Sequence, residues 1–157
     1  MKLCRIDQSS REQVDAFIVN QWFTLEMVVR GEVIDLGTAD GWYACENDEV
    51  IGLITYRIIG DELEILSLDS RREGMGIGTA LLFKAVEEAK SCRCRRVMLV
   101  TTNDNLSALR FYQRRGFDLV CVHRNAVDRA RQLKPEIPLL GEGGIPLRHE
   151  LELEMLL

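Results

Sequence analysis

Between Glu62 and Ser91 the spacing of apolar residues changes period, and glycines crowd the point of change. From Glu62 to Asp69 the residues read as a strand, with Leu63 and Ile65 on one face and Leu66 and Leu68 on the other. From Gly76 to about Ser91 the apolar positions are Ile77, Leu81 and Ala85, flanked by Leu82, Val86 and Ala89. That is the spacing of a helix with one buried stripe. The link is Asp69-Ser70-Arg71-Arg72-Glu73-Gly74-Met75-Gly76-Ile77-Gly78-Thr79-Ala80. Glycine at every second position lets the backbone approach a ligand closely. The first-turn amides of a helix favour an anion, phosphate above all. Arg71 and Arg72 add local positive charge. The segment suits a phosphate site, and it suits a flexible helix start equally well.

Two familiar phosphate loops are excluded. A dinucleotide fingerprint requires glycine where Thr79 stands. A nucleoside-triphosphate loop ends in Gly-Lys-Ser/Thr, which is absent. The strand ahead of the turn carries a further signal, because its apolar phase switches at Ile65-Leu66. A β-bulge there would produce the switch and leave backbone groups unpaired beside the turn. A strand buried on both faces at that end would read the same way.

The flanking segments complete the pattern. Lys2 to Asp7 reads as a strand. Ser9 or Ser10 caps a helix to about Trp22, with Val14, Phe17, Ile18 and Trp22 on one stripe. A short helix is expected over Leu25 to Arg30. Trp42 to Glu46 and Val50 to Ile59 are strands joined at Asn47-Asp48-Glu49, and Gly60-Asp61 turns the second into Glu62 to Asp69. Arg96 to Thr101 is a short apolar strand. Asp104 to Arg115 is a helix with Gly116 at a left-handed C-cap. Phe117 to His123 is a strand and Ala126 to Lys134 a short helix. Pro135 to Pro146 is a loop long enough to act as a lid. Arg148 to Met155 is a last strand. The order predicts a mixed α/β domain around one twisted sheet, with residues 1–157 as a single domain.

Charge and cysteine usage narrow the function. The net charge of −5 argues against a general nucleic-acid binder, which needs a basic face. No apolar run is long enough to span a membrane, and Met1 to Ser10 has no apolar signal core. Cys4, Cys45, Cys92, Cys94 and Cys121 lack the spacing of a metal or redox motif. Free thiols in a cytoplasmic protein are the expectation, with no metal site and no ligand cluster.

In the second helix Asn105, Ala108 and Tyr112 share a face. A small residue between two polar ones suits a groove. A half-buried tyrosine with its hydroxyl in water explains Tyr112 as well.

Gly74-Met75-Gly76-Ile77-Gly78-Thr79-Ala80-Leu81-Leu82 resembles the acetyl-CoA pyrophosphate loop of the GCN5-related N-acetyltransferase (GNAT) superfamily. Asn105-Leu106-Ser107-Ala108-Leu109-Arg110-Phe111-Tyr112-Gln113-Arg114-Arg115-Gly116-Phe117 is similar to the helix that follows it in that family. The resemblance covers nearly the whole chain. It implies a GNAT-like α/β (α+β) fold, a mixed twisted sheet of about seven strands with about four helices. One departure stands out: the family has Gln or Arg three residues before the glycine matched by Gly76, and here the residue is Glu73.

The resemblance implies an N-acetyltransferase that passes acetyl from acetyl-CoA, as cosubstrate, to a primary amine on a small molecule rather than a protein. A non-catalytic acyl-CoA-binding regulatory module is the alternative. Arg71, Arg72, Gly74, Met75, Gly76, Gly78 and Thr79 would hold the pyrophosphate. Leu66 and Leu68 main chain and Asn105 would hold the pantetheine arm, and Leu68 N–H would face the oxyanion. Tyr112 would be the acid. Glu64 would be the base through water, or simply a solvated strand glutamate, with His123 a weaker candidate. Glu26, Glu32, Asp35, Glu136, Glu142 and Glu150 offer negative charge on the acceptor side, which suits a cationic amine. A homodimer is compatible with this reading.

Overall fold

Short apolar runs broken by tight polar turns generate most of the strands. A computed structural model describes residues 1–157. In chain order the elements are β1 (Lys2–Arg5), α1 (Arg11–Trp22), β2 (Glu26–Val29), β3 (Glu32–Asp35), β4 (Asp40–Glu46), β5 (Glu49–Ile59) and β6 (Glu62–Ser70). They continue with α2 (Ile77–Ser91), β7 (Arg96–Thr102), α3 (Leu106–Gln113), β8 (Asp118–His123), α4 (Ala126–Leu133) and β9 (Glu150–Leu156). A seven-stranded sheet has the order β1-β4-β5-β6-β7-β9-β8, and β2 and β3 form a separate hairpin. No helix is long and apolar enough to cross a membrane. The chain divides into two compact units. One comprises Met1–Glu26, Asp35–Val97 and Leu157, the other Met27–Ile34 and Met98–Leu156.

In the first unit β4, β5 and β6 form the expected antiparallel meander, with β1 against β4. Asn47 and Asp48 take φ of 50° and 63°, the left-handed pair that closes a two-residue hairpin. α2 buries Ile77, Leu81, Leu82, Ala85, Val86 and Ala89, the stripe its spacing dictates, and packs on β4, β5 and β6. α1 buries Val14, Phe17 and Ile18, whereas Trp22 is 47% exposed. Ser10 precedes α1, but its hydroxyl accepts from Asp7 N–H at 2.9 Å and caps no helix amide.

The expected helix over Leu25 to Arg30 is a strand. β-Branched Val28, Val29, Val33 and Ile34 favour the extended chain. Arg30-Gly31 supplies the turn, with φ of 49° and 76°.

In the second unit β8 pairs with β9 in an antiparallel ladder. The segment 135–146 is fastened rather than hinged. Arg131 donates to the carbonyls of Ile137, Pro138 and Leu147, and Asp104 Oδ2 accepts from Glu142 N–H at 2.9 Å. These ties oppose a lid that swings freely.

Candidate functional site

β6 carries a bulge where its apolar phase switches. Thr55 pairs with Ser67 and Tyr56 with Ile65, so Leu66 is the extra residue. Leu63 to Ser67 are all buried, so both readings of that strand hold together. The bulge adds a residue without exposing the chain. Leu68, after it, pairs with Ile54 and is partly buried.

Beyond β6 the chain turns through Gly74 and Gly76, both at φ 77°. A Cβ on either would meet no atom within 4 Å, so the backbone borders open space. Gly76 is the N-cap of α2, no side chain caps the helix, and its first turn holds no acidic residue. The first helix-closing bond runs from Ala80 N–H to Gly76 C=O at 3.0 Å. Amides before that point have no carbonyl within the helix to bond, so the positive end of the dipole faces the loop. Gly78 and Thr79 lie in this first turn, and Met75 is 67% exposed beside it.

The two arginines are not the loose positive charges expected. Arg72 pairs with Glu46 Oε2 at 2.5 Å, and Arg71 lies 3.9 Å from Glu49 Oε2. The Arg71 guanidinium also sits 5.1 Å from the centre of the Phe17 ring. The sequence conceals this because both glutamates arrive on the β4–β5 turn, more than twenty residues away. Gln13, Ala16, Phe17, Asn20, Asp48, Glu49, Val50 and Arg71 line a cleft of about 450 Å³ there.

Two carboxylates of β6 stand in contrasting surroundings. Glu64 is buried and pairs with Arg57, its cross-strand partner, at 2.8 Å. It is therefore no solvated glutamate. Asp69 accepts from the Trp22 indole N–H at 2.7 Å. Burial pushes the Asp69 carboxyl up from its ordinary value, and the indole bond offsets part of that.

In the second unit Asn105 is the N-cap of α3. Its Oδ1 accepts from Ala108 N–H at 3.2 Å, and its Nδ2 donates to Thr101 Oγ1 at 3.3 Å. Tyr112 is only 6% exposed, more deeply placed than the half-buried ring expected. Its ring meets Phe111 and Phe117 edge-on, with centroids 5.1 and 5.3 Å apart. Gly116 at φ 93° lets Phe117 N–H return to the Tyr112 carbonyl at 3.1 Å, the closure expected after α3. Of the anticipated acceptor-side acids, Glu150 is buried and accepts from Arg30 N–H at 3.0 Å.

The anticipated residues thus fall into two groups. Glu64, Leu66, Leu68, Arg71, Arg72, Gly74, Met75, Gly76, Gly78 and Thr79 belong to the first unit, Asn105 and Tyr112 to the second. The expectation of no ligand cluster is corrected: Cys121, His123 and Glu152 converge. Cys121-x-His123 on a strand was a partial signal, but Glu152 comes from a partner strand that spacing could not reveal.

The model of the Acetyltransferase (GNAT) family matches residues 7–117. The chain belongs to this family. It is an acyltransferase, and a purely regulatory module is not favoured. It is 44% identical over 146 residues to the uncharacterized protein YdhI of Bacillus subtilis (strain 168), covering 92% of this chain and 91% of that one. Among solved structures it resembles a Bacillus subtilis acetyltransferase in complex with CoA, with TM-score 0.72, 19% identity and coverage of 99% and 98%. It also resembles a GNAT family acetyltransferase from Elizabethkingia anophelis with acetyl-CoA bound, with TM-score 0.71, 20% identity and coverage of 99% and 97%.

Proposed function

We propose that this chain transfers the acetyl group of acetyl-CoA directly to a primary amine on a small molecule. The observation that carries the reading is the N-terminus of α2, open at Gly74 and Gly76 and capped by no side chain, directly after the bulged strand β6. CoA and acetyl-CoA in two solved structures of the same fold support acetyl-CoA as the cosubstrate.

The roles follow from what the reaction needs. The first-turn amides around Gly76, Gly78 and Thr79 take the pyrophosphate, with Arg71 and Arg72 nearby. Leu66 and Leu68 main chain and Asn105 take the pantetheine amides. A neutral amine attacks the thioester carbonyl, and Leu68 N–H stabilises the oxyanion that forms. Collapse breaks the C–S bond, and Tyr112 gives its proton to the leaving thiolate. Glu64 accepts the amine proton through water. A homodimer accompanies this reading, and sedimentation would report it.

The test is release of free CoA thiol from acetyl-CoA over a panel of polyamines, amino acids, aminoglycosides and peptides. Acceleration by a small amine supports the reading, and a response to peptides alone would overturn the acceptor class. Tyr112→Phe should lower turnover more than about tenfold with little change in acetyl-CoA affinity, the pattern of a group acting in the transition state. Equal turnover in that variant would remove Tyr112 from the acid role.

A further inference from the structure

The β8–β9 ladder places four potential ligands on one face. Cys121 and His123 are two residues apart on β8, so their side chains project to the same side. Cys121 lies opposite Glu152, and His123 opposite Glu150. A register shift between Leu119 and Cys121 sets this pairing. Without it the cross-strand partners would differ by one residue, and Glu152 would face away.

The distances are those of a coordination polyhedron. Cys121 Sγ is 3.6 Å from His123 Nε2, and His123 Nε2 is 3.0 Å from Glu152 Oε1. The three ligand atoms lie within 4.8 Å of one another. Around a tetrahedral zinc ion, with Zn–N near 2.05 Å and Zn–S near 2.3 Å, the edges between ligand atoms are roughly 3.3–3.6 Å. The two edges at His123 Nε2 lie within a few tenths of an ångström of those values, and rotation of the exposed Cys121 side chain would set the third.

The same geometry excludes the obvious rival, a Cys-His-Glu nucleophilic triad. In a triad one ring nitrogen takes the thiol proton while the carboxylate holds the other. Here sulfur and carboxylate both converge on Nε2, which cannot serve both roles. Three ligand atoms gathered within 4.8 Å of one another suit a cation instead.

We propose that Cys121, His123 and Glu152 form a site for a borderline divalent cation, zinc(II) being the best match. Thiolate with imidazole and one carboxylate suits zinc over magnesium or calcium, which prefer all-oxygen sets. Binding takes the proton from the Cys121 thiol and uses the Nε2 lone pair of neutral His123, its proton on Nδ1. Cys121 is exposed while the Glu152 side chain is only 10% exposed, so the ion enters from solvent onto an anchored carboxylate. Arg30, 3.9 Å from Glu152 Oε1, pairs with that carboxylate when no ion is bound. Three protein ligands leave a fourth position for water or another small ligand. The ion would clip β8 to β9, a role independent of acetyl transfer.

The test uses the untagged full-length chain, stripped of metal and titrated with cobalt(II) and then zinc(II). The expected result is one cobalt per chain, with the visible bands of a tetrahedral ion and a thiolate-to-cobalt charge-transfer band. Zinc should displace it. Cys121→Ser should abolish the charge-transfer band. His123→Ala and Glu152→Gln should each weaken zinc binding by more than about tenfold, since losing a ligand exceeds the 10–100-fold cost of losing only its outer partner. Cys92→Ser should change nothing. A second measurement needs no variant: zinc should slow alkylation of Cys121 but not of the exposed Cys92, read by peptide mass mapping. No stoichiometric binding at micromolar metal, a spectrum without thiolate character, or equal alkylation of both cysteines would overturn the site.

Discussion

Gly76 combines a left-handed backbone with open space, since φ is 77° and a Cβ would meet no atom within 4 Å. Two substitutions separate these properties. Gly76→Ala should cost about 1 kcal/mol of stability, the strain of a side chain at positive φ, yet retain acetyl-CoA binding. Gly76→Asp carries the same strain and sets a carboxylate before the α2 N-terminus, so calorimetric titration should detect no binding. Full affinity in Gly76→Asp would mean that the pyrophosphate lies elsewhere. Asp69 gives a pH prediction at the same scale. Its folded pKa is raised, chiefly by burial. Its contribution to stability is therefore present below the ordinary carboxylate value and lost as pH rises through the raised one. Asn cannot ionise and can still accept from the Trp22 indole. The melting temperature of Asp69→Asn relative to wild type should thus rise as pH increases from the ordinary carboxylate value, about 4, through the raised one. A constant difference across that range would show that Asp69 does not titrate as argued.

Elements were legible in the sequence wherever a periodic stripe was long enough to leave one solution. α2 is the clearest case, because each of the six positions on its predicted stripe is buried. The β6 bulge was legible because a phase switch within one strand has few physical causes. β2 and β3 were not, since four-residue strands are too short for alternation to outweigh a helix reading. What decides them is Arg30-Gly31, where two successive left-handed residues close a hairpin and break any helix. Gly31→Val should therefore destabilise the chain by about 1–2 kcal/mol, a drop in melting temperature of roughly 2–4 °C per kcal/mol for a protein of this size. A Cβ at Gly31 would meet nothing within 4 Å, so the cost is purely one of backbone. Unchanged melting would mean that the turn adapts. Side-chain pairs between distant elements, such as Trp22 with Asp69 or Glu152 with His123, left no trace in local spacing, because only the register of separate strands and helices creates them.

For the whole molecule the question is how a chain of net charge −5 holds a polyanionic cosubstrate. Remote carboxylates matter little, because the Debye length is about 10 Å at 0.1 M salt. Contact pairs are not screened in that way. Glu46 and Glu49 each stand within ion-pair distance of an arginine beside the glycine turn, and they compete with phosphate for it. The arginine side chains are 52% and 41% exposed, so each pair is worth only ~0.2–1 kcal/mol. A phosphate backed by the α2 dipole can displace such partners. Removing the competition should therefore help. The double variant Glu46→Gln/Glu49→Gln should bind acetyl-CoA a few-fold more tightly at low salt, with the gain shrinking as salt is added. Calorimetric titration at two ionic strengths would measure both effects. Equal affinity at low salt would place Arg71 and Arg72 outside reach of the phosphates and leave the helix N-terminus as the principal anion contact.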